Sequence, residues 1–168
     1  MIRPLLLFLA LLTALPTLAQ RRELSASVGR WDSGQLGDAV SLGASYNYYW
    51  TSLLSARVGG MVAKEEEVTA GTVYVSGELH LFRTARVSPW VGVGGAFAYT
   101  RLASSSEHFT GSETAWTGIY SGGLDFAVSP RLAIGADVSY MNYEAGLGSR
   151  FGYTVDPVTI SLAARWRY

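Results

Sequence analysis

Residues 158–168 read VTISLAARWRY, and their alternation decides the fold class of the chain. One set of alternate positions is entirely apolar or aromatic: Val158, Ile160, Leu162, Ala164, Trp166 and Tyr168. The positions between them are small, polar or basic: Thr159, Ser161, Ala163, Arg165 and Arg167. A period of two places successive side chains on opposite faces of a β-strand. One uncharged face and one face carrying arginines are typical of a strand with lipid on one side and a polar interior on the other.

The same alternation recurs along the chain and predicts eight strands. They lie near residues 23–31, 39–49, 53–63, 72–82, 90–100, 116–128, 132–142 and 157–168. The apolar-face residues, which run from Leu24 to Val28 in the first strand, include no charged residue in any of the eight strands. A chain rich in apolar strands satisfies its backbone polar groups within a bilayer only by closing into a barrel. We therefore expect an all-β fold: an eight-stranded antiparallel up-and-down transmembrane β-barrel.

The second face separates this fold from soluble alternatives. It is built mainly of Gly, Ser and Ala, as in Ser41-x-Gly43-x-Ser45 and Gly92-x-Gly94-x-Ala96-x-Ala98. A soluble sandwich would present long polar side chains to water there, and a lipocalin-like barrel would have an apolar inside. Small polar residues fit the narrow lumen that eight strands enclose.

The first residues have the features of an export signal. Arg3 precedes the uncharged run Leu5–Leu12, and Thr17-Leu18-Ala19 provides the small-x-small pattern of a signal peptidase site. The run is too short to span a bilayer, which takes roughly 20 apolar residues. We predict a signal peptide over residues 1–19, cleavage between Ala19 and Gln20, and one barrel domain over residues 20–168. This predicts export to the bacterial outer membrane.

Composition limits the partners and cofactors. The chain has 49% hydrophobic residues, only 15% charged residues and no net charge. A single lysine (Lys64) and no basic run argue against nucleic-acid binding. The absence of cysteine excludes a disulfide-stapled scaffold. The run Glu65–Glu67 could bind a divalent cation, but adjacent residues of an extended chain do not converge on one ion, so we expect a solvated loop, no metal site and no cofactor.

The predicted connections alternate in length. Tight links at 49–52 and 129–131 and an intermediate one at 83–89 alternate with longer links at 64–71, 101–115 and 143–156 and a shorter one at 32–38. Outer-membrane barrels have short periplasmic turns and longer extracellular loops. Aromatic residues gather near the strand ends, as expected at the two membrane interfaces: Tyr48, Trp50, Phe126, Trp166 and Tyr168 on one rim, and Tyr99, Trp116, Tyr120 and Tyr140 towards the other.

Charged residues on the inner face form the main candidate site. Six are predicted to face the lumen in its periplasmic half: Arg57, Glu78, Asp125, Asp137, Arg165 and Arg167. One interpretation is the gate or selectivity filter of a narrow channel. The other is a plug of ion pairs, with Arg57 joined to Glu78, and with Asp125 and Asp137 joined to Arg165 and Arg167. The plug is favoured because eight strands leave little free volume and an unpaired buried charge is costly.

The two histidines raise the question of an enzyme. Lipid A deacylases built on eight strands use a rim His with a Ser two residues along and a carboxylate. His80 is followed by Leu81-Phe82, and His108 by Phe109-Thr110, so neither matches. We expect no catalytic residues.

The C-terminal strand, ending on the aromatic Tyr168, resembles the small outer-membrane β-barrel family typified by the membrane domain of OmpA and by OmpX. Residues 89–95 (PWVGVGG) and 123–129 (GLDFAVS) are similar to its fifth and sixth strands. The resemblance implies a monomer in contact with outer-membrane lipid and lipopolysaccharide. It also implies recognition by the barrel assembly machinery through Trp166 and Tyr168. The implied function is structural or surface-interactive; a small channel for ions or apolar solutes is the alternative, and a lipid A-modifying enzyme is the third.

Overall fold

The computed structural model describes residues 22–34, 37–65, 68–103, 110–145 and 153–168. Its regular structure consists of β-strands, and no helix in this part of the chain is long and apolar enough to cross a membrane. The strands are β1 (Arg22–Asp32), β2 (Asp38–Tyr49), β3 (Leu54–Lys64), β4 (Val68–His80), β5 (Val87–Ala103), β6 (Thr110–Ala127), β7 (Leu132–Met141), β8 (Tyr143–Ala145), β9 (Tyr153–Val155) and β10 (Val158–Arg167).

Eight of these strands form one closed barrel. Neighbours in the barrel are neighbours along the chain, except that the short hairpin β8–β9 is inserted between β7 and β10. All pairings are antiparallel, and β10 closes the barrel by pairing with β1. At the seam Arg22 and Tyr168 exchange backbone hydrogen bonds of 3.2 and 3.0 Å. The predicted eight-stranded antiparallel barrel is confirmed.

The two faces of each strand separate as the alternation predicts. Apolar side chains point outwards and are open to the surroundings, with Val28 52% exposed and Ile160 65% exposed. Side chains of the opposite parity are buried in the lumen, where Trp31, Tyr49 and Arg165 are at most 1% exposed. A barrel with an apolar outer wall and with arginines buried in its lumen has the inside-out polarity of a membrane barrel.

The two ends of the barrel differ. We call the end with the connections 50–53, 81–86 and 128–131 the turn end; Arg22 and Tyr168 lie there too. The opposite end, the loop end, carries the connections 33–37, 65–67, 104–109 and 142–157.

The predicted loops 64–71 and 101–115 were too long. Strand β4 begins at Val68, β5 continues to Ala103 and β6 starts at Thr110, so these hairpins extend past the predicted strand ends. The sequence there keeps its period of two, but the outward positions turn polar, as at Thr69 and Arg101. Apolar alternation therefore marks the lipid-facing stretch of a strand and not its full length. Likewise, part of the predicted loop 143–156 forms the hairpin β8–β9.

Candidate functional site

The six predicted charged residues all lie on the inner face of the barrel, near the turn end. Strands β3, β4, β6, β7 and β10 supply them, each at an inward position of the alternation. Five are buried to 6% exposure or less: Arg57, Glu78, Asp125, Arg165 and Arg167. Asp137 lies one inward position closer to the loop end than Gly135, the register partner of Asp125, and its side chain is 15% exposed. Burial on this scale requires each charge to have a partner.

Arg165 is the centre of the larger of two clusters. Its guanidinium Nη1 lies 2.7 Å from Asp125 Oδ1, and its Nη2 donates to Asp137 Oδ1 at 2.6 Å. The contact to Asp125 is close but lacks the alignment of a good hydrogen bond, so it counts here as an ion pair. A third carboxylate, that of Glu23, lies 3.7 Å from Arg165 Nε. One arginine thus joins strands β1, β6, β7 and β10 across the lumen.

Arg167 extends this cluster to the barrel seam. Its Nε donates to Glu23 Oε2 at 3.0 Å, and its Nη2 lies 3.7 Å from Asp125 Oδ2. Glu23 also accepts a 3.3 Å hydrogen bond from the Tyr49 hydroxyl. The sequence interpretation did not include Glu23, although it is in phase with Ser25 and Ser27 of the same strand. This shared alternation was the feature of the sequence that could have placed Glu23 in the lumen.

Glu78 is the centre of the second cluster. Its Oε1 pairs with Arg57 Nε at 2.9 Å. Its Oε2 accepts a 2.7 Å hydrogen bond from Asn47 Nδ2 and a 3.3 Å bond from Ser55 Oγ. His80 Nε2 lies 3.0 Å from the same oxygen. A carboxylate with this many partners is held in one orientation.

The Trp90 ring contacts a guanidinium group of each cluster. The Arg57 guanidinium lies 4.4 Å from the centroid of the Trp90 ring, and that of Arg165 lies 5.7 Å from it. The His80 ring stacks near Trp90 with 6.0 Å between centroids. Contact with an aromatic face stabilises a cation without placing another charge in the lumen. Trp90 was predicted to begin a strand, and its contact with the two guanidinium groups was not predicted.

A fourth arginine covers the mouth of the lumen at the turn end. Arg83, from the connection 81–86, is 6% exposed, and its guanidinium lies 3.4 Å from the centroid of the Tyr49 ring. The three positive and three negative charges predicted for the lumen were expected to cancel. Among the described residues Glu23 and Arg83 join them, and because these two carry opposite charges the lumen remains electrically balanced.

The remainder of the lumen, towards the loop end, holds a small cavity lined by both serine hydroxyls and apolar side chains, and then an apolar cluster. The cavity has a volume of about 60 Å³, and its polar lining includes Ser25, Ser27, Ser45, Ser121, Ser139 and Ser161. This is room for about four water molecules at roughly 15 Å³ each. Beyond it, buried apolar residues meet across the lumen, among them Trp31, Ile119, Met141, Tyr143 and Val155. The hairpin β8–β9 supplies the last two, and the Tyr143 hydroxyl bonds Thr100 Oγ1 at 2.7 Å.

The surroundings of His80 are those of a structural residue. Its ring is fully buried, 5.0 Å from the Tyr49 ring centroid, and its Nε2 engages Glu78. No face of the imidazole is open to a lipid substrate. His108 lies outside the described residues, as do the predicted cleavage residues Ala19 and Gln20.

The predicted assembly residues lie at the outer edge of the seam. Trp166 pairs with Leu24 of β1 and Leu132 of β7, and its side chain is 51% exposed on the outer wall. Tyr168 follows the last strand, with its side chain 45% exposed.

Comparison with known proteins gives similarity of structure only. No family model matches the sequence, and no curated protein matches it. Among solved structures, Neisserial surface protein A (NspA) is similar, with a TM-score of 0.67 and 16% identity over 89% of this chain and 97% of that one. OprG of Pseudomonas aeruginosa has a TM-score of 0.68 and 12% identity over 89% and 96%. Ail, the attachment invasion locus protein of Yersinia pestis, has a TM-score of 0.53 and 16% identity over 89% and 97%.

These neighbours are small outer-membrane β-barrels that the chain matches over nearly their whole length. The chain has their fold, as the resemblance of its C-terminal strand predicted. At such low identity the likeness does not extend to their individual activities.

Proposed function

We propose that this chain is an integral outer-membrane β-barrel protein with a structural or surface-interaction role and a lumen closed by its own side chains. The observation that carries the proposal is the double filling of the lumen. Ion pairs centred on Arg165 and Glu78 occupy the turn end, and the apolar cluster around Ile119 and Met141 occupies the loop end. A solute would have to displace both.

The remaining parts of the proposal concern location and partners. The barrel is exported by the leader 1–19, inserted by the assembly machinery through the strand ending at Trp166 and Tyr168, and monomeric in contact with lipid and lipopolysaccharide. Its loop end faces outwards and is the surface available for interaction. In support, the structural neighbours are outer-membrane proteins, and one is named for attachment and invasion.

Three measurements test the proposal. Protein refolded in detergent should migrate differently on a gel before and after boiling, as folded barrels do. In planar bilayers it should give no steady conductance. A full-length mass for the protein in outer-membrane fractions, instead of one starting at Gln20, would contradict the export step.

A narrow channel is the second candidate, and the cavity of about 60 Å³ between the two filled zones, with its several serine hydroxyls, favours it. If the ion pairs act as a gate, wild-type protein should show brief openings, and neutralising Glu78 or Arg165 should lengthen them. The absence of openings in the wild type and in both variants would eliminate the channel.

A catalytic role is not part of the proposal, because His80 is enclosed by Tyr49, Trp90 and Glu78. Mass profiles of lipid A from cells with and without the protein test this directly. A difference in acyl chain number would establish an enzyme.

A further inference from the structure

Charge is distributed unevenly between the two ends of the barrel surface. Among the described residues at the turn end, the exposed charged side chains are three arginines: Arg22, Arg86 and Arg131. The carboxylates at this end, Glu23, Glu78 and Asp125, are buried in the lumen and paired there. Even with an α-carboxylate on Tyr168 beside Arg22, the outer surface of the turn end is positive.

The loop end is different. Its exposed cations in the described part of the chain, Arg30, Lys64 and Arg101, are accompanied by acidic side chains on the same rim: Asp32, Asp38, Glu65 and Asp156. Arg30 is paired with Asp38. Among the described residues, an excess of exposed positive charge therefore occurs at the turn end and not at the loop end.

The three turn-end arginines lie at the level of the outer aromatic residues. The Arg86 guanidinium is 4.8 Å from the centroid of the Phe126 ring. Arg22 pairs with Tyr48 across the β1–β2 ladder and with Tyr168 at the seam. Arg131 precedes Leu132, the register partner of Trp166. Aromatic side chains mark the height of the lipid headgroups, so the arginines are placed where phosphate groups lie.

A groove in the outer wall begins at the same end. It has a volume of about 400 Å³, and its apolar lining comes from Trp50, Leu54, Gly77, Leu79, Val91 and Val93. A Cβ added to Gly77 would have no atom within 4 Å, so the wall is locally indented. An indentation below the headgroup level is suited to an acyl chain.

We propose that the turn end of this barrel selectively binds anionic phospholipid, with Arg22, Arg86 and Arg131 contacting headgroup phosphates of the leaflet that faces the short turns. This inference rests on the proposed membrane insertion. A guanidinium binds a phosphate through two parallel hydrogen bonds, and its charge favours lipids with net negative charge over zwitterionic ones. The barrel would therefore be surrounded preferentially by anionic lipid at its turn end and not at its loop end.

Quenching of tryptophan fluorescence by brominated lipid tests the proposal. The protein is refolded into phosphatidylcholine vesicles that contain brominated phosphatidylglycerol or brominated phosphatidylcholine. We expect stronger quenching by the anionic lipid, with a relative binding constant of about fivefold for one guanidinium–lipid contact. The preference should fall as sodium chloride is raised, because salt screens exposed charges.

Matched variants locate the site. The triple change Arg22→Gln, Arg86→Gln and Arg131→Gln should bring the relative binding constant to about one. The loop-end triple Arg30→Gln, Lys64→Gln and Arg101→Gln removes the same number of cations and should keep the preference. Replacing Trp50 and Trp166 by Phe should remove the selective quenching, whereas replacing Trp116, at the loop end, should not.

Equal quenching of the wild type by both lipids would overturn the inference, as would an equal loss of preference in the two triple variants. Heat-modifiable migration, run on every sample, separates this failure from failure of the proposed function. A barrel that inserts without lipid preference refutes only the lipid site, and a protein that never inserts refutes the membrane role itself. If the turn-end triple variant does not fold, the proposal is tested by the single change Arg131→Gln, which should lower the preference, and by the salt series on the wild type. An unchanged preference in both would overturn it.

Discussion

The guanidinium of Arg165 occupies the space that a side chain at position 135 would need. A Cβ placed on Gly135 would overlap Arg165 Nη1 and lie 2.6 Å from Asp125 Oδ1. Residue 135 faces the lumen on β7, directly beside the β10 strand that carries Arg165. The glycine is therefore part of the ion-pair cluster, because it provides the room in which Arg165 meets Asp125 and Asp137.

The first prediction follows from this close approach. Gly135→Ala should lower the free energy of unfolding by about 1–3 kcal/mol, the usual cost of overpacking a tightly packed interior. Urea unfolding in micelles measures it. Gly95→Ala is the matched control, since a Cβ on Gly95 meets no atom within 4 Å. Equal stability of the two variants would show that Arg165 moves aside at little cost.

The second prediction concerns the pair of Arg57 and Glu78. Glu78→Gln leaves Arg57 without its carboxylate in a lumen where both side chains are buried, and it should cost about 3–5 kcal/mol. The double variant Glu78→Gln with Arg57→Met removes both charges and should recover much of the loss.

The same two variants distinguish a plug from a channel filter. A filter residue would change conductance or ion preference with little effect on unfolding. Single-channel recording beside the urea series separates the cases. If Glu78→Gln unfolds like the wild type and passes a selective current, the plug is wrong.

The third prediction compares a buried ion pair with an exposed one. Glu23 and Arg167 join the first and last barrel strands, with both side chains at most 8% exposed. Glu23→Gln should therefore destabilise the barrel strongly and speed amide hydrogen exchange at the seam between β1 and β10.

Asp38→Asn is the control for that variant, because it breaks an ion pair with Arg30 that is exposed on the outer surface. Exposed pairs contribute about 1 kcal/mol or less. An exchange rate at the seam that does not differ between the two variants would mean that the backbone ladder alone holds the closure.

Much of this architecture could be read from the alternation of residue types. Parity alone placed the side chains of Arg57, Glu78 and Arg165 inside the barrel, because a strand has only two faces and one of them meets lipid. The pairing of neighbouring strands then limited which charges could meet.

The alternation did not identify the other side chains that complete the charge clusters. Glu23 is the second residue of its strand, where the start of the alternation is hardest to fix. Arg83 comes from a turn, which has no parity, and reaches the lumen only through the path of residues 81–86. The alternation identifies Trp90 as an inward residue, but its contact with two guanidinium groups depends on three-dimensional packing.

The strand ends at the loop end were also beyond the sequence signal. Outside the bilayer an outward residue no longer has to be apolar, so Thr69 and Arg101 continue a strand without continuing the pattern. Sequence reasoning therefore found the membrane-facing part of each hairpin and shortened β4, β5 and β6 at the loop end.

The last prediction concerns Tyr168, whose resemblance to a family assembly signal suggests a role in insertion in cells. Deleting it removes one exposed side chain and the two backbone hydrogen bonds to Arg22, while the β1–β10 ladder from Glu23 to Asp32 remains. We expect a lower folded fraction in outer-membrane preparations and nearly unchanged refolding in detergent. Tyr168→Phe is the control, because it keeps an aromatic ring and the backbone contacts. A deletion variant that refolds poorly in detergent would show that the residue stabilises the seam, and equal outer-membrane levels would exclude a role in assembly.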